Sequence, residues 1–343
     1  MAAYRMKQEH LARFIMVLLI ILVLASPAMG KMLWRLQNSA TLEIHARLPE
    51  SGGWSLNTIT VRSGQPLTLR FTSEDVVHGF AIGKLNLPEI EILPGEFIET
   101  TLTFSNPGKY TFYCTRWCGP NHWRMRGVIN VIGMSPTPTP EPPPLYLALG
   151  IDLDAPHRAE SIPRRAADPQ HGSGLQNHLP SYALEQDTYL SNSPASLWMR
   201  LRAESSLRPL SDDDLWDLVA WIWEQHASAQ EIAIGQKLYA QNCAACHGES
   251  GKGDGVMIRD LPPPTAEDHV TSHEERTRPP DWSDPHQLLG ASPALLAGKI
   301  IRGGMGTGMP YWGPIFTSEQ IDALVTYLYR FAWNGAPNAS THP

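Results

Sequence analysis

Between residues 114 and 125 the chain reads Cys-Thr-Arg-Trp-Cys-Gly-Pro-Asn-His-Trp-Arg-Met, which places the thiols of Cys114 and Cys118, the imidazole of His122 and the thioether of Met125 on one short stretch. These are soft donors, and as a set they suit copper better than an oxygen-seeking ion. A second imidazole must come from elsewhere. His78, which closes the segment Ser73-Glu74-Asp75-Val76-Val77-His78 and stands 36 residues before Cys114, is the candidate. One thiolate with His and Met describes a single-copper electron-transfer site. Two thiolates four residues apart on one loop can instead bridge two coppers, each capped by a His and a weaker ligand. A loop disulfide, or a zinc site using His122, is the plainer reading of the cysteines. Neither accounts for Met125 and an upstream histidine at these distances.

A second constellation lies at Cys243-Ala244-Ala245-Cys246-His247. Two thiols two residues apart followed at once by histidine form the c-type haem attachment motif, with the sulfurs bonding the porphyrin vinyls and the imidazole taking the iron. The sixth ligand is expected to be a methionine, and Met305 and Met309 both lie in Arg302-Gly303-Gly304-Met305-Gly306-Thr307-Gly308-Met309-Pro310-Tyr311. His/Met ligation raises the haem potential and suits a relay.

The elements that must carry these groups differ in kind. Segments 41–47, 57–62, 67–71, 97–104 and 108–113 alternate in the strand period, separated by turn chemistry at 63–66, 93–96 and 105–108, which predicts a β-sandwich or Greek-key barrel ahead of the copper motif. Residues 231–242 predict an amphipathic helix leading into the haem motif. Leu215, Leu218, Val219 and Ile222 after Ser211, and Ile321, Leu324, Val325 and Leu328 after Thr317, predict two further amphipathic helices with hydroxyl caps. Each is preceded by Ser-Pro-Ala, at 193–195 and 292–294, so the chain carries an internal echo whose first copy lacks both the Cys-x-x-Cys-His motif and a Gly-Met-Pro segment.

Ser135 to Pro144 is proline-rich and predicts a semi-rigid linker. At the N-terminus, Arg5, Lys7 and Arg13 precede an uncharged stretch from Phe14 to Gly30, with Trp34 and Arg35 following as an interfacial collar. This predicts an export signal or, as the favoured reading, a single membrane anchor with all that follows on the extracytoplasmic side. The expected layout is therefore 1–34 signal or anchor, 35–133 β domain, 134–149 linker, 150–229 an irregular solvated stretch plus a helical, haem-less remnant, 230–334 haem domain and 335–343 tail. His157, His171 and His178 are assigned no metal, His45 is read as a surface histidine, and the insert 261–286 as surface loop.

Composition bounds the function. The 343 residues allow two or three domains, and a net charge of -7 argues against nucleic acid as a partner. All four cysteines fall in the two motifs, so no disulfide framework is left over.

The pattern Cys-x3-Cys-x3-His-x2-Met with its upstream His resembles the binuclear CuA site of haem-copper oxidase subunit II, and the flanking residues extend the resemblance over about 57–132. It implies a cupredoxin fold and copper held by His78, Cys114, Cys118, His122, Met125 and the backbone carbonyl of Arg116. Many subunit II proteins carry Glu at the Arg116 position, which leaves the carbonyl intact and puts a magnesium site at the subunit boundary in doubt. A single N-terminal helix in place of the usual hairpin resembles the ba-type oxidases. Gly308-Met309-Pro310 ahead of a terminal helix resembles the axial loop of class I cytochromes c, which favours Met309 as the haem ligand beside His247.

Together these imply the electron-transfer subunit of a bacterial cytochrome c oxidase in the respiratory chain. It would hold two coppers and one covalent haem c on Cys243 and Cys246, with an external cytochrome or cupredoxin as donor, the catalytic subunit I as acceptor, and no oxygen chemistry of its own. The alternatives are an anchored CuA and haem c protein serving a nitric or nitrous oxide reductase, and a copper-delivery module. Arg116, Trp117, Trp123, Arg124 and Arg126 give the copper loop a basic, aromatic rim, for which the more acidic haem segment is a suitable partner.

Overall fold

The computed structural model describes residue 16 and residues 41–85, 87–119, 121–133, 142–258, 278–304 and 308–334. The expected N-terminal anchor, apart from Met16, lies outside them, as do Met305 and the tail. Among the described residues no helix is long and apolar enough to cross a membrane.

The first half is a β-sandwich. One sheet has the order β1-β3-β6, from Thr41–Ala46, Pro66–Ser73 and Ile98–Thr103; the other has the order β2-β8-β7-β4-β5, from Thr58–Arg62, Arg126–Ile132, Gly108–Tyr113, His78–Ile82 and Ile90–Ile92. β1 runs parallel to β3 and β2 parallel to β8, while the remaining pairs are antiparallel. Alternation places Leu67, Leu69 and Phe71 of β3 inward against Phe112, Ile129 and Ile92. Each such side chain contributes roughly 1.5–3 kcal/mol through burial. Trp54 packs edge-on to Phe71, Phe80 and Phe112 and tilts against His78 at 6.5 Å, so the core reaches directly to a candidate ligand.

The second half is helical. Its main helices are α1 (Pro169–Gly174), α2 (Pro194–Ala203), α3 (Asp212–Gln225), α4 (Ala229–Asn242), α5 (Pro293–Arg302) and α6 (Ser318–Leu328). The internal echo is a structural one. α2 and α5 are both ten residues long, open on proline where a missing N–H costs nothing, and are capped by Ser193 and Ser292, which accept from the N–H groups of Ser196 and Leu295. α3 and α6 both begin with a capping box, Ser211 with Asp214 and Thr317 with Gln320.

The correspondence extends one helix beyond the sequence echo. α1 meets α3 at Gly172, where a Cβ would stand 2.1 Å from the carbonyl oxygen of Asp217; α4 meets α6 at Gly235, where a Cβ would stand 2.1 Å from that of Ala323. Only glycine permits either approach. Residues 150–192 are largely exposed or half-buried, as their polarity predicts, but they are tied down at intervals. Leu153, Ala159, Ala183 and Tyr189 are buried in the core shared with α3 and α6.

This region is also organised by one carboxylate. Asp217, fully buried on α3, accepts from Arg165 Nη1 and Nη2 at 2.9 and 2.5 Å, from the Asp168 N–H at 2.7 Å and from His171 Nδ1 at 2.8 Å. His171, Asp214 and Asp217 lie close enough to suggest a cation site, but the Arg165 guanidinium already neutralises Asp217.

Two further expectations are corrected. The linker ends before 149, because Leu145–Ala148 form a helical turn whose Tyr146 lies beside Gly298 of α5. The described part of the 261–286 insert is not surface loop. The Trp282 N–H donates to the Gly251 carbonyl at 2.7 Å, and His286 Nδ1 donates to the Ala159 carbonyl at 2.8 Å.

The two halves touch. Lys84 N–H, in the turn after β4, donates to the Ile315 carbonyl at 2.8 Å, and Arg126 Nη1 donates to the Tyr311 carbonyl at 2.7 Å. Tyr113, at the end of β7, packs against the helical core.

Candidate metal centres

The copper-motif loop is pinned at both ends by the sheet. Tyr113 and Arg126 are ladder partners of β7 and β8, and one step further the Cys114 N–H donates to the Met125 carbonyl at 3.0 Å, so the first and last candidate ligands are tied through their own backbones. Between them the chain turns through Asn121, in the left-handed region at φ 55°, into a short 3-10 turn, His122–Arg124, that aims His122 inward. His78 opens β4, hydrogen-bonded through that strand to β5 and β7.

These elements bring all the expected donors together, and all five side chains are buried. Cys114 Sγ lies 3.8 Å from His78 Nδ1 and 3.2 Å from the Arg116 carbonyl oxygen. Cys118 Sγ lies 3.4 Å from His122 Nδ1 and 3.4 Å from Met125 Sδ. Each sulfur therefore has its own imidazole, with the two cysteines between them. Both cysteines are free thiols, so the loop disulfide is not formed.

The electrostatics of the site hold Cys114 toward its ligating form and leave Cys118 and His78 protonated more readily than usual. The hydrogen bond from Cys118 holds the Cys114 thiol well below its ordinary range against the opposing effect of burial, and the same bond, together with burial, pushes Cys118 up. The two thiols thus lean in opposite directions, Cys114 toward the thiolate and Cys118 toward the neutral form. Burial pushes His78 down, but Cys114 and Asp75 outweigh it and the net shift is upward. Asp75, which sequence reasoning did not single out, accepts from His78 Nε2 at 2.8 Å and is itself held by the N–H groups of Leu48 and Val76 at 2.5 and 2.6 Å. That bond fixes the tautomer with a proton on Nε2 and turns the Nδ1 lone pair toward Cys114. Two thiols and a thioether with two imidazoles are donors that suit copper, the sulfurs above all in its monovalent state.

Arg116 points away from the sulfurs, its side chain paired with Glu89 at 2.7 Å and Glu91 at 3.3 Å. Trp117 is exposed, and its ring lies 5.6 Å from that of His122. His45 sits between Glu43 at 3.0 Å and Glu74 at 2.7 Å, apart from the candidate ligands.

In the helical half, α4 runs into Cys243 and the short turn Ala244–His247. Burial alone pushes His247 down to about 4, so its imidazole is neutral at neutral pH, the state that ligates iron, and its Nδ1 is a buried polar atom without a partner among the described residues. Burial likewise pushes the Cys243 thiol up to about 12. Trp282 stacks on the His247 ring at 4.1 Å, and Met309 packs against the same core as Cys243 and Trp282. These residues fit a covalent haem with His/Met ligation. Trp282 escaped the sequence reading because it follows a proline-rich insert and gains its meaning only by folding back.

Comparison with known proteins agrees with this division. Residues 54–132 match the family model described as the periplasmic domain of cytochrome c oxidase subunit II, and residues 232–330 match that of cytochrome c. Two forms of cytochrome c oxidase subunit 2 from Thermus thermophilus are each 39% identical over 79 residues, covering 23% of this chain and 58% of one relative and 46% of the other. The chain thus spans about half the length of these curated relatives. The Cbb3-type cytochrome c oxidase subunit CcoP of Rhodobacter capsulatus is 29% identical over 154 residues, 43% of each chain. Among solved structures, the periplasmic domain of subunit II of cytochrome oxidase from Bradyrhizobium japonicum matches at 21% identity, covering 27% of this chain and 83% of that one with a TM-score of 0.23. The chain is a fusion of a subunit II-like periplasmic domain with a cytochrome c domain.

Proposed function

We propose that this chain is the electron-transfer subunit of a bacterial haem-copper oxidase, accepting electrons from an external donor and delivering them to a catalytic subunit that it does not itself contain. His78, Cys114, the Arg116 carbonyl, Cys118, His122 and Met125 would hold a binuclear copper pair, and Cys243, Cys246, His247 and Met309 would hold haem c. When bound, these groups supply one-electron redox chemistry with little change in coordination. The protein's own part is to fix the donors, exclude water from buried sulfur and keep both imidazoles in the ligating tautomer. The β half would lie on the extracytoplasmic side of the membrane, held there by the apolar segment near residues 14–30.

The observation that carries the reading is the division of ligands: Cys114 beside His78, and Cys118 beside His122 and Met125. A single-copper site needs one thiolate, and here a second lies at the same centre with its own imidazole. The test is metal analysis and low-temperature EPR of residues 35–343 produced with haem-maturation machinery. Two coppers per chain with hyperfine coupling shared over both nuclei are expected. One copper with a single-nucleus pattern, or zinc, would overturn the binuclear site and with it the oxidase role.

A further inference from the structure

The contact between the two halves falls at the base of the copper loop and immediately past the candidate haem ligand. Tyr113 and Arg126, the ladder pair that brackets the loop, both face the helical half. Arg126 Nη1 donates to the Tyr311 carbonyl at 2.7 Å, and its guanidinium lies 5.3 Å from the Tyr311 ring centre and 4.9 Å from that of Trp312. Among the described residues no carboxylate balances this half-buried cation, and its Nη2 is buried without a partner. A guanidinium held by one carbonyl and two aromatic faces, with one nitrogen out of water and unbonded, is costly for a merely decorative surface contact. On the other side of the same segment, Gly83 lets the β4 turn close onto Pro314 and Ile315, with Lys84 N–H bonded to the Ile315 carbonyl.

The covalent distance between the two centres along this seat is short. Met309 is two residues from Tyr311, one hydrogen bond joins Tyr311 to Arg126, and Arg126 is the residue after Met125. Resting on the metal assignment proposed above, we infer that Arg126 is a positioning residue for internal electron transfer: it docks segment 311–315 of the haem domain onto the base of the copper loop, giving the chain a built-in junction between its two centres. The external donor would then engage the haem domain, because the copper loop's Arg126 side is taken by the chain itself. At Arg126 the complement offered by the haem segment is thus a carbonyl and two rings and not a carboxylate.

Two variants of the full-length holoprotein test this from opposite sides. Arg126→Gln removes the charge. Gly83→Val, which alters no candidate ligand, places a Cβ 2.6 Å from the Pro314 carbonyl oxygen and 2.7 Å from Ile315 Cα and pries the seat open. After flash reduction of the haem, the concentration-independent transfer rate should fall by about tenfold or more in both, as expected for lost positioning, with copper EPR and haem spectrum unchanged. Arg126→Lys should recover part of the rate. Unchanged rates in both Arg126→Gln and Gly83→Val would sink the junction. Should the wild type fail to bind a copper pair, the metal assignment fails instead, and the docking is judged by small-angle scattering of the unloaded protein. A larger radius in both variants than in the wild type supports the seat, and equal radii overturn it.

Discussion

The two cysteine pairs show how differently the two halves handle one kind of side chain. Cys114 and Cys118 lie within a single loop, hydrogen-bonded to each other and with imidazoles beside them, so that Cys114 is held toward the thiolate. Cys243, buried among apolar groups, is pushed the other way to about 12 and stays a neutral thiol. The β half has its ligand geometry built before any metal arrives. The helical half keeps the Cys243 thiol protonated, spreads its candidate ligands from Cys243 to Met309, and takes its shape from helix crossings and one buried carboxylate. A metal displaces whatever thiol proton remains as it binds, so the lean of Cys114 toward the thiolate eases metal entry, whereas a thiol destined for a covalent bond can wait in protected form.

The contrast breaks most visibly by exchanging losses. Cys118→Ser should abolish the copper pair while leaving covalent haem on Cys243 and Cys246 intact, and the double change Cys243→Ala with Cys246→Ala should do the reverse. Copper stoichiometry and haem-stained denaturing gels read both, and simultaneous loss in either variant would mean that the halves do not assemble independently.

A smaller effect concerns the crossings. Asp217→Ala removes the hub of Arg165, Asp168 and His171 and should cost about 3 kcal/mol in thermal or denaturant unfolding of the helical half, with copper content unchanged. Burial pushes the Asp217 carboxyl up, but Arg165, the Asp168 N–H and His171 outweigh it and the net shift is down. A carboxyl depressed in the folded state contributes its stability above its unfolded value, about 4, and loses it as pH falls through the folded value. The wild type should therefore lose stability below about pH 4, and Asp217→Ala should show a flatter profile in that range. Least disruptive, Gly172→Ala pushes a methyl onto the Asp217 carbonyl and should cost about 1–3 kcal/mol, as should Gly235→Ala at the other crossing. Equal costs in the two would show that the first copy is held as tightly as its partner.

How much of this could be read from residues alone follows from what each feature depends on. The copper loop was legible because donor type and spacing are local: Cys114, Cys118, His122 and Met125 lie within twelve residues, and only His78 had to be sought at a distance. The helices 212–225 and 318–328 were legible through period and caps. Asp75 was hidden because its role is a bond to His78 that its sequence neighbours do not announce. Helix 169–174 was hidden because it is short and polar and owes its place to a glycine against the Asp217 backbone. The parallel pairing of β1 with β3 and of β2 with β8 lies beyond strand periodicity, which fixes the inward face of a strand and not its neighbour.

The bond from the Cys114 N–H to the Met125 carbonyl closes the ligand loop into a ring of backbone. Chemistry inside such a ring is separable from the scaffold outside it. A loop of different length, carrying one cysteine in place of two, could be exchanged between Cys114 and Met125 while the strands keep their register, so that a two-metal relay and a one-metal relay become interchangeable inserts in one β-sandwich.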